Sequence, residues 1–188
     1  TSTIDTETVF HIGKEGTAVV LIDGTLDAAD DVLLSNLSSG DATLRGAGTI
    51  ITGGTLEVRE GSTIEPGSTT TGTPTGASQV GILTVNGQVD IEPTNTTLNI
   101  QIPNPTDTVA GAAMLDPAAI QAAINLADNP LNEHDALHVS GLLDFASIGN
   151  TLTLDATGLS PAAGQWFDIF DFGTLSGISL AAVSYTHL

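Results

Sequence analysis

The chain is 188 residues long and carries 22 acidic residues against 3 basic ones, a net charge of −19. Lys14, Arg45 and Arg59 are its fixed cations, and none follows Arg59. This argues against nucleic acid, whose phosphates need clustered Lys and Arg, against anionic membrane surfaces, and against grooves for uronic-acid polymers. Cysteine is absent, which excludes disulfides, thiolate metal sites and a Cys nucleophile.

The apolar fraction is 40% and the charged fraction 13%. With Gly, Thr, Ser and Ala filling much of the remainder, this fits short strands and turns better than a disordered acidic tail. The carboxylates are expected to form a solvated skin. No apolar run is long enough for a transmembrane helix, so the segment is not expected to be membrane-inserted. No signal-peptide pattern is visible.

Strand-like stretches recur along the chain. Val19-Val20-Leu21-Ile22 ends in Asp23-Gly24. Gly48–Thr52 leads to Gly53-Gly54, and Thr55-Leu56-Glu57-Val58-Arg59 alternates apolar and polar. Ser62–Glu65 ends at Pro66-Gly67. Ile82–Val85 precedes Asn86-Gly87, a strong turn dipeptide. Val89–Ile91 and Leu98–Ile102 follow. After an interruption come Leu137–Val139 before Ser140-Gly141, then Leu143–Phe145, Thr151–Asp155 and Phe167–Ile169. Strands this short bury little individually, so stacking successive turns of a coil is the natural way to build a core. The predicted fold is therefore all-β, with residues 1–182 forming one unit.

Two segments break the pattern. Residues 66–79 are small, polar and Gly/Pro-rich and read as a loop. Within residues 103–134 a helix is predicted: Asp116 as N-cap, Pro117 at the first helical position, and Ile120, Ala123, Ile124 and Ala127 on one face. Asp128-Asn129-Pro130 stops it. The expectation is one helical insertion packed on the flank of the coil.

Residues 183–188 (Val-Ser-Tyr-Thr-His-Leu) resemble a translated sequencing adapter, so the native sequence is expected to end near Ala182. The alternative is a genuine terminal strand.

Gly53-Gly54-Thr55-Leu56-Glu57-Val58 and Gly61-Ser62-Thr63-Ile64-Glu65-Pro66-Gly67-Ser68 resemble the signature of autotransporter-associated β-strand repeats. Gly81–Gly87, Asp135–Gly141, Gly149–Leu154 and Gly164–Phe170 are similar to the rungs that follow it in that family. The likeness spans roughly residues 40–175, and the order of the motifs carries it. It implies a right-handed parallel β-helix or similar β-solenoid, exported and surface-associated in a bacterium. It implies no catalytic residues. The helical insertion departs from the family pattern, as does the lack of an outer-membrane barrel or sorting signal.

Candidate chemistry is sparse. Asp23, Asp27, Asp30 and Asp31 could supply oxygens to Ca²⁺, although their spacing matches neither an EF-hand loop nor a Gly-Asp nonapeptide repeat. A solvated acidic turn is the competing reading. Glu133, His134, Asp135 and His138 would suit zinc on a helix. The stretch reads as a strand, which sets the two histidines about 13 Å apart, too far for one metal. Asp168 and Asp171 are a carboxylate pair of the kind glycosidases use, but the aromatics around them (Trp166, Phe167, Phe170 and Phe172) read as core or cap. Asn36 and Asn95 begin glycosylation sequons to which no role is assigned.

The expected function is a non-catalytic structural or adhesive segment, without cofactor, whose partner is an extracellular or cell-surface polysaccharide or protein. A carbohydrate-binding adhesin module is the second expectation, weakened by a content of five Phe, one Trp and one Tyr. A polysaccharide-degrading β-helix enzyme is the third, weakened by the missing cations. Gly- and Thr-rich rungs specify strand register only loosely.

Overall fold

The structure is a computed structural model that describes residues 3–6, 9–14, 16–35, 41–67, 81–92, 95–101, 135–145, 151–155 and 170–176. Within them lie β1 (Thr3–Thr6), β2 (Phe10–Ile12), β3 (Ala18–Leu21), β4 (Thr25–Ala28), β5 (Val32–Leu34), β6 (Ala42–Gly46), β7 (Thr49–Val58), β8 (Thr63–Pro66), β9 (Ile82–Ile91), β10 (Thr97–Gln101), β11 (Ala136–Phe145), β12 (Thr151–Asp155) and β13 (Phe170–Ser176). The predicted helical insertion at 103–134, the 68–79 part of the loop predicted at 66–79, the strand expected at Phe167–Ile169 and the tail at 183–188 all lie outside the described residues, while Pro66 belongs to β8 rather than to the loop.

The strands form two sheets. An eight-stranded sheet runs in the order β1-β4-β7-β9-β11-β13, with β2 and β5 alongside, and a five-stranded sheet runs β12-β10-β8-β6-β3. Every pairing among the described strands is parallel. The chain visits the large sheet, then the small one, then returns to the large sheet one strand further on. Each visit to both sheets makes a tier: β1, β2 and β3; β4, β5 and β6; β7 and β8; β9 and β10; β11 and β12; then β13.

Alternation produces the core. In β4 and β8 every second residue is buried, and parallel in-register pairing stacks each buried residue on its counterpart. Leu26, Ile50, Val85 and Val139 form one inward column. Val32, Leu56, Val89 and Leu143 form a second. Leu44, Ile64 and Leu98 face them from the small sheet. Leu26, Leu44, Ile50, Leu56 and Leu143 are completely enclosed. Burying each such side chain contributes about 1.5–3 kcal/mol, so the tiers hold each other through apolar area that no single strand could bury alone.

Three of the predicted strand ends are bends. Gly53-Gly54, Asn86-Gly87 and Ser140-Gly141 lie inside the ten-residue strands β7, β9 and β11. Asn86-Gly87 therefore turns no hairpin. Where β9 spends Gly87 alone, β7 spends Thr52, Gly53 and Gly54, and the register shifts there. A Cβ at Gly141 would lie 2.5 Å from the Gly87 carbonyl oxygen, and one at Gly173 would lie 2.6 Å from that of Ser140. Glycine is needed at this corner because each tier rests on the backbone of the one before it. Hydrogen bonds fix the corner: the Thr52 hydroxyl donates to the Asp30 carbonyl (2.7 Å), the Thr55 N–H to Asp31 Oδ1 (2.8 Å) and the Gly87 N–H to the Ser140 hydroxyl (3.1 Å).

Candidate functional site

The four aspartates considered for calcium are spread along β4 and the residues on either side of it. Asp23 is exposed before β4 and Asp27 is half-buried within it, while Asp30 and Asp31 follow its end. Asp27 is thus a strand residue rather than part of an acidic turn. At about 3.3 Å per residue, β4 holds Asp23 well apart from Asp30 and Asp31. Asp31 has a structural role, accepting the Thr55 N–H. Asp23 Oδ1 accepts the Ala47 N–H at 3.4 Å. Among the described residues no group of three or more His, Cys, Asp or Glu side chains is placed to hold a metal ion.

Asp135 is buried immediately before β11, where its Oδ1 accepts the Gly81 N–H at 3.0 Å. His138 lies in β11, in register between Thr84 and Asp171. Its Nε2 is enclosed without a hydrogen-bond partner. Glu133, His134, Trp166, Phe167 and Asp168 lie outside the described residues. Asp171 sits in β13, as do Phe170 and Phe172, and Phe172 is exposed. Asn95 is exposed at positive φ (53°), with its side-chain amide donating to Glu60. Asn36 lies outside the described residues. No helix among the described residues is long and apolar enough to cross a membrane.

The arrangement with the most chemical content is one that sequence reasoning missed. Glu57, Asp90 and Asp144 stand in register on β7, β9 and β11, on the outward side of the large sheet. Each sits between two inward residues: Leu56 and Val58, Val89 and Ile91, Leu143 and Phe145. That repeated apolar-acid-apolar triplet is the signal that could have revealed the column.

Charge balance along this column is uneven. Arg59 Nε donates to Glu57 Oε2 at 2.9 Å and lies 3.9 Å from Glu92 Oε1. At the other end the Ser176 hydroxyl donates to Asp144 Oδ1. Asp90, between them, has an enclosed Oδ1 with no hydrogen-bond partner. Burial, followed by the charges of Asp144, Glu57 and Glu92, pushes the Asp90 carboxyl above its ordinary range. A pair of facing carboxylates with one pushed upward can share a proton.

The small sheet solves the same problem with a cation. Arg45 donates to Glu65 from the neighbouring tier, and Asn99 donates to the other Glu65 oxygen at 3.4 Å. Charge is neutralised across that column, whereas the Glu57–Asp90–Asp144 column keeps an excess of carboxylate.

Comparison with family models, curated proteins and solved structures finds no match to this chain.

Proposed function

We propose that the chain is a non-catalytic structural or adhesive segment of an exported bacterial surface or extracellular protein, built as a right-handed parallel β-helix. The observation that carries this reading is the continuous parallel stack from β4 through β7 and β9 to β11, in register on either side of the bend in β7. Parallel crossovers between strands of one sheet are right-handed in about 98% of cases. The order of repeat-like motifs over roughly 40–175 supports the export and surface assignment.

The mechanism is geometric. Each added tier extends a rod whose inner columns are apolar, and a net charge of −19 keeps its exterior solvated. Adhesion to a polysaccharide or protein falls to the stretches between strands at 68–79 and 103–134, since residues that join strands can vary without disturbing the stack.

Limited proteolysis of the intact chain, paired with a panel of polysaccharides, tests the reading. The expected result is that the strands β6 to β11 stay together as a protease-resistant core wherever the chain is cut between them, with no polysaccharide turnover. Turnover that Asp144→Asn abolishes in a folded protein would make the chain an enzyme instead.

A further inference from the structure

Parallel strands lie about 4.8 Å apart, so in-register outward side chains in successive tiers face one another at that spacing. Columns of neutral residues occur on both sheets: Thr25, Thr49 and Thr84 on the large sheet, and Thr43, Thr63 and Thr97 on the small one. The column of Glu57, Asp90 and Asp144 instead sets three carboxylates in successive tiers. Like charges directly opposite one another destabilise a sheet.

The surroundings of Asp90 define what it can do. From β7 it faces Glu57, and from β11 it faces Asp144. Glu92 lies on its own side of the chain just past β9. Farther along the column stand Ser176 on one side and Leu33 and His11 on the other. Arg59 is committed to Glu57 and Glu92. The Ser176 hydroxyl is committed to Asp144. No donor reaches the enclosed Oδ1 of Asp90.

We propose that the Glu57–Asp90–Asp144 column is a proton-operated clasp that tightens the middle tiers in acid and loosens them at neutral pH. When Asp90 takes up a proton, its new O–H can donate to a carboxylate oxygen of Glu57 or Asp144. One repulsive contact becomes a charge-assisted hydrogen bond between tiers. When the proton leaves, three facing carboxylates remain with Arg59 at one end.

The direction of the pH effect follows from linkage. The Asp90 carboxyl is displaced upward in the folded chain, so the folded state holds this proton more tightly than the unfolded state. The stabilisation is fully present below the ordinary Asp range and is lost as pH rises through the raised value. Each unit of upward displacement corresponds to about a tenfold change in the folding equilibrium.

The experiment follows the Asp90 carboxyl carbon by NMR in the intact chain from about pH 8 to about pH 4, with urea unfolding midpoints at both ends. Asp90→Asn removes the titrating group, and Asp30→Asn removes the same charge at an exposed site. Asp90 is expected to titrate above the ordinary Asp range, and the native chain to unfold at higher urea in acid. Asp90→Asn should raise the neutral-pH midpoint and lose most of the acid gain, whereas Asp30→Asn should keep that gain. Titration of Asp90 at or below the ordinary range overturns the clasp, as does equal behaviour of the two variants. Stabilisation of the native chain by Ca²⁺ or Mg²⁺ at neutral pH, absent in Asp90→Asn, would make the column a cation site instead. Should Asp90→Asn fail to fold, the NMR titration of the native chain decides alone.

Discussion

The Gly81 N–H donates to the buried carboxylate of Asp135, 54 residues away in sequence. These residues stand just before β9 and β11, and the Ala136 N–H returns a bond to the Gly81 carbonyl at 3.2 Å. One carboxylate thus fixes where two successive tiers begin, despite the long stretch of chain between them. Asp135→Ala should cost about 1–3 kcal/mol by stranding a buried donor. Asp135→Asn, which keeps an acceptor oxygen, should cost less. Urea unfolding midpoints at constant m-value measure both.

Gly16 and Gly46 both have positive φ, +85° and +119°, but only Gly46 lies against backbone, that of Ile22. Gly16 has nothing within 4 Å of an added Cβ. Gly16→Ala should cost about 1–2 kcal/mol from conformation alone. Gly46→Ala should cost more, because the Ile22 carbonyl must also move. A thermal-melt comparison in which the two variants coincide would contradict the close packing of the first and second tiers.

Leu56 is fully buried between Val32 and Val89, whereas Val19 is 46% exposed on the outer face of the small sheet. Leu56→Ala should lose about 2–5 kcal/mol through lost burial and a residual cavity. Val19→Ala should stay within about 0.5 kcal/mol of the native chain. Chemical denaturation of the two variants separates an inward column from an outward one.

A net charge of −19 makes self-repulsion the long-range electrostatic effect that dominates. Raising ionic strength from about 0.01 M to about 0.1 M shortens the screening length from about 30 Å to about 10 Å. The melting temperature of the native chain should therefore rise with salt. A fall would mean that the Arg45–Glu65 and Arg59–Glu57 pairs outweigh the repulsion.

Much of the strand content was legible in the sequence, because alternation of apolar and polar residues is a local property. Thr63–Pro66, Thr97–Gln101 and Thr151–Asp155 fall close to their expected places. The strands β4 and β5 were harder to read, because β4 carries Asp27 and β5 is only three residues long among acidic neighbours. The glycine pairs were recognised as breaks, but their sense was not. A glycine that reverses a hairpin and one that lets a strand bend against the tier before it read alike in sequence. The acidic column was invisible for a related reason. Glu57, Asp90 and Asp144 are far apart in the chain, and only register brings them together.

By itself the sequence determined the all-β character, the inward set of Leu, Ile and Val, the excess of negative charge and the glycine-marked positions where strands end or bend. These follow from residue chemistry and from spacing over a few positions. The tertiary structure alone decided which strand lies on which. Because tiers are separated by segments of unequal length, no fixed repeat encodes the register, and Thr-rich rungs could slide without changing their local pattern. Buried columns such as Leu26-Ile50-Val85 select one alignment by the apolar area they enclose, and that choice sets Asp90 between two other carboxylates.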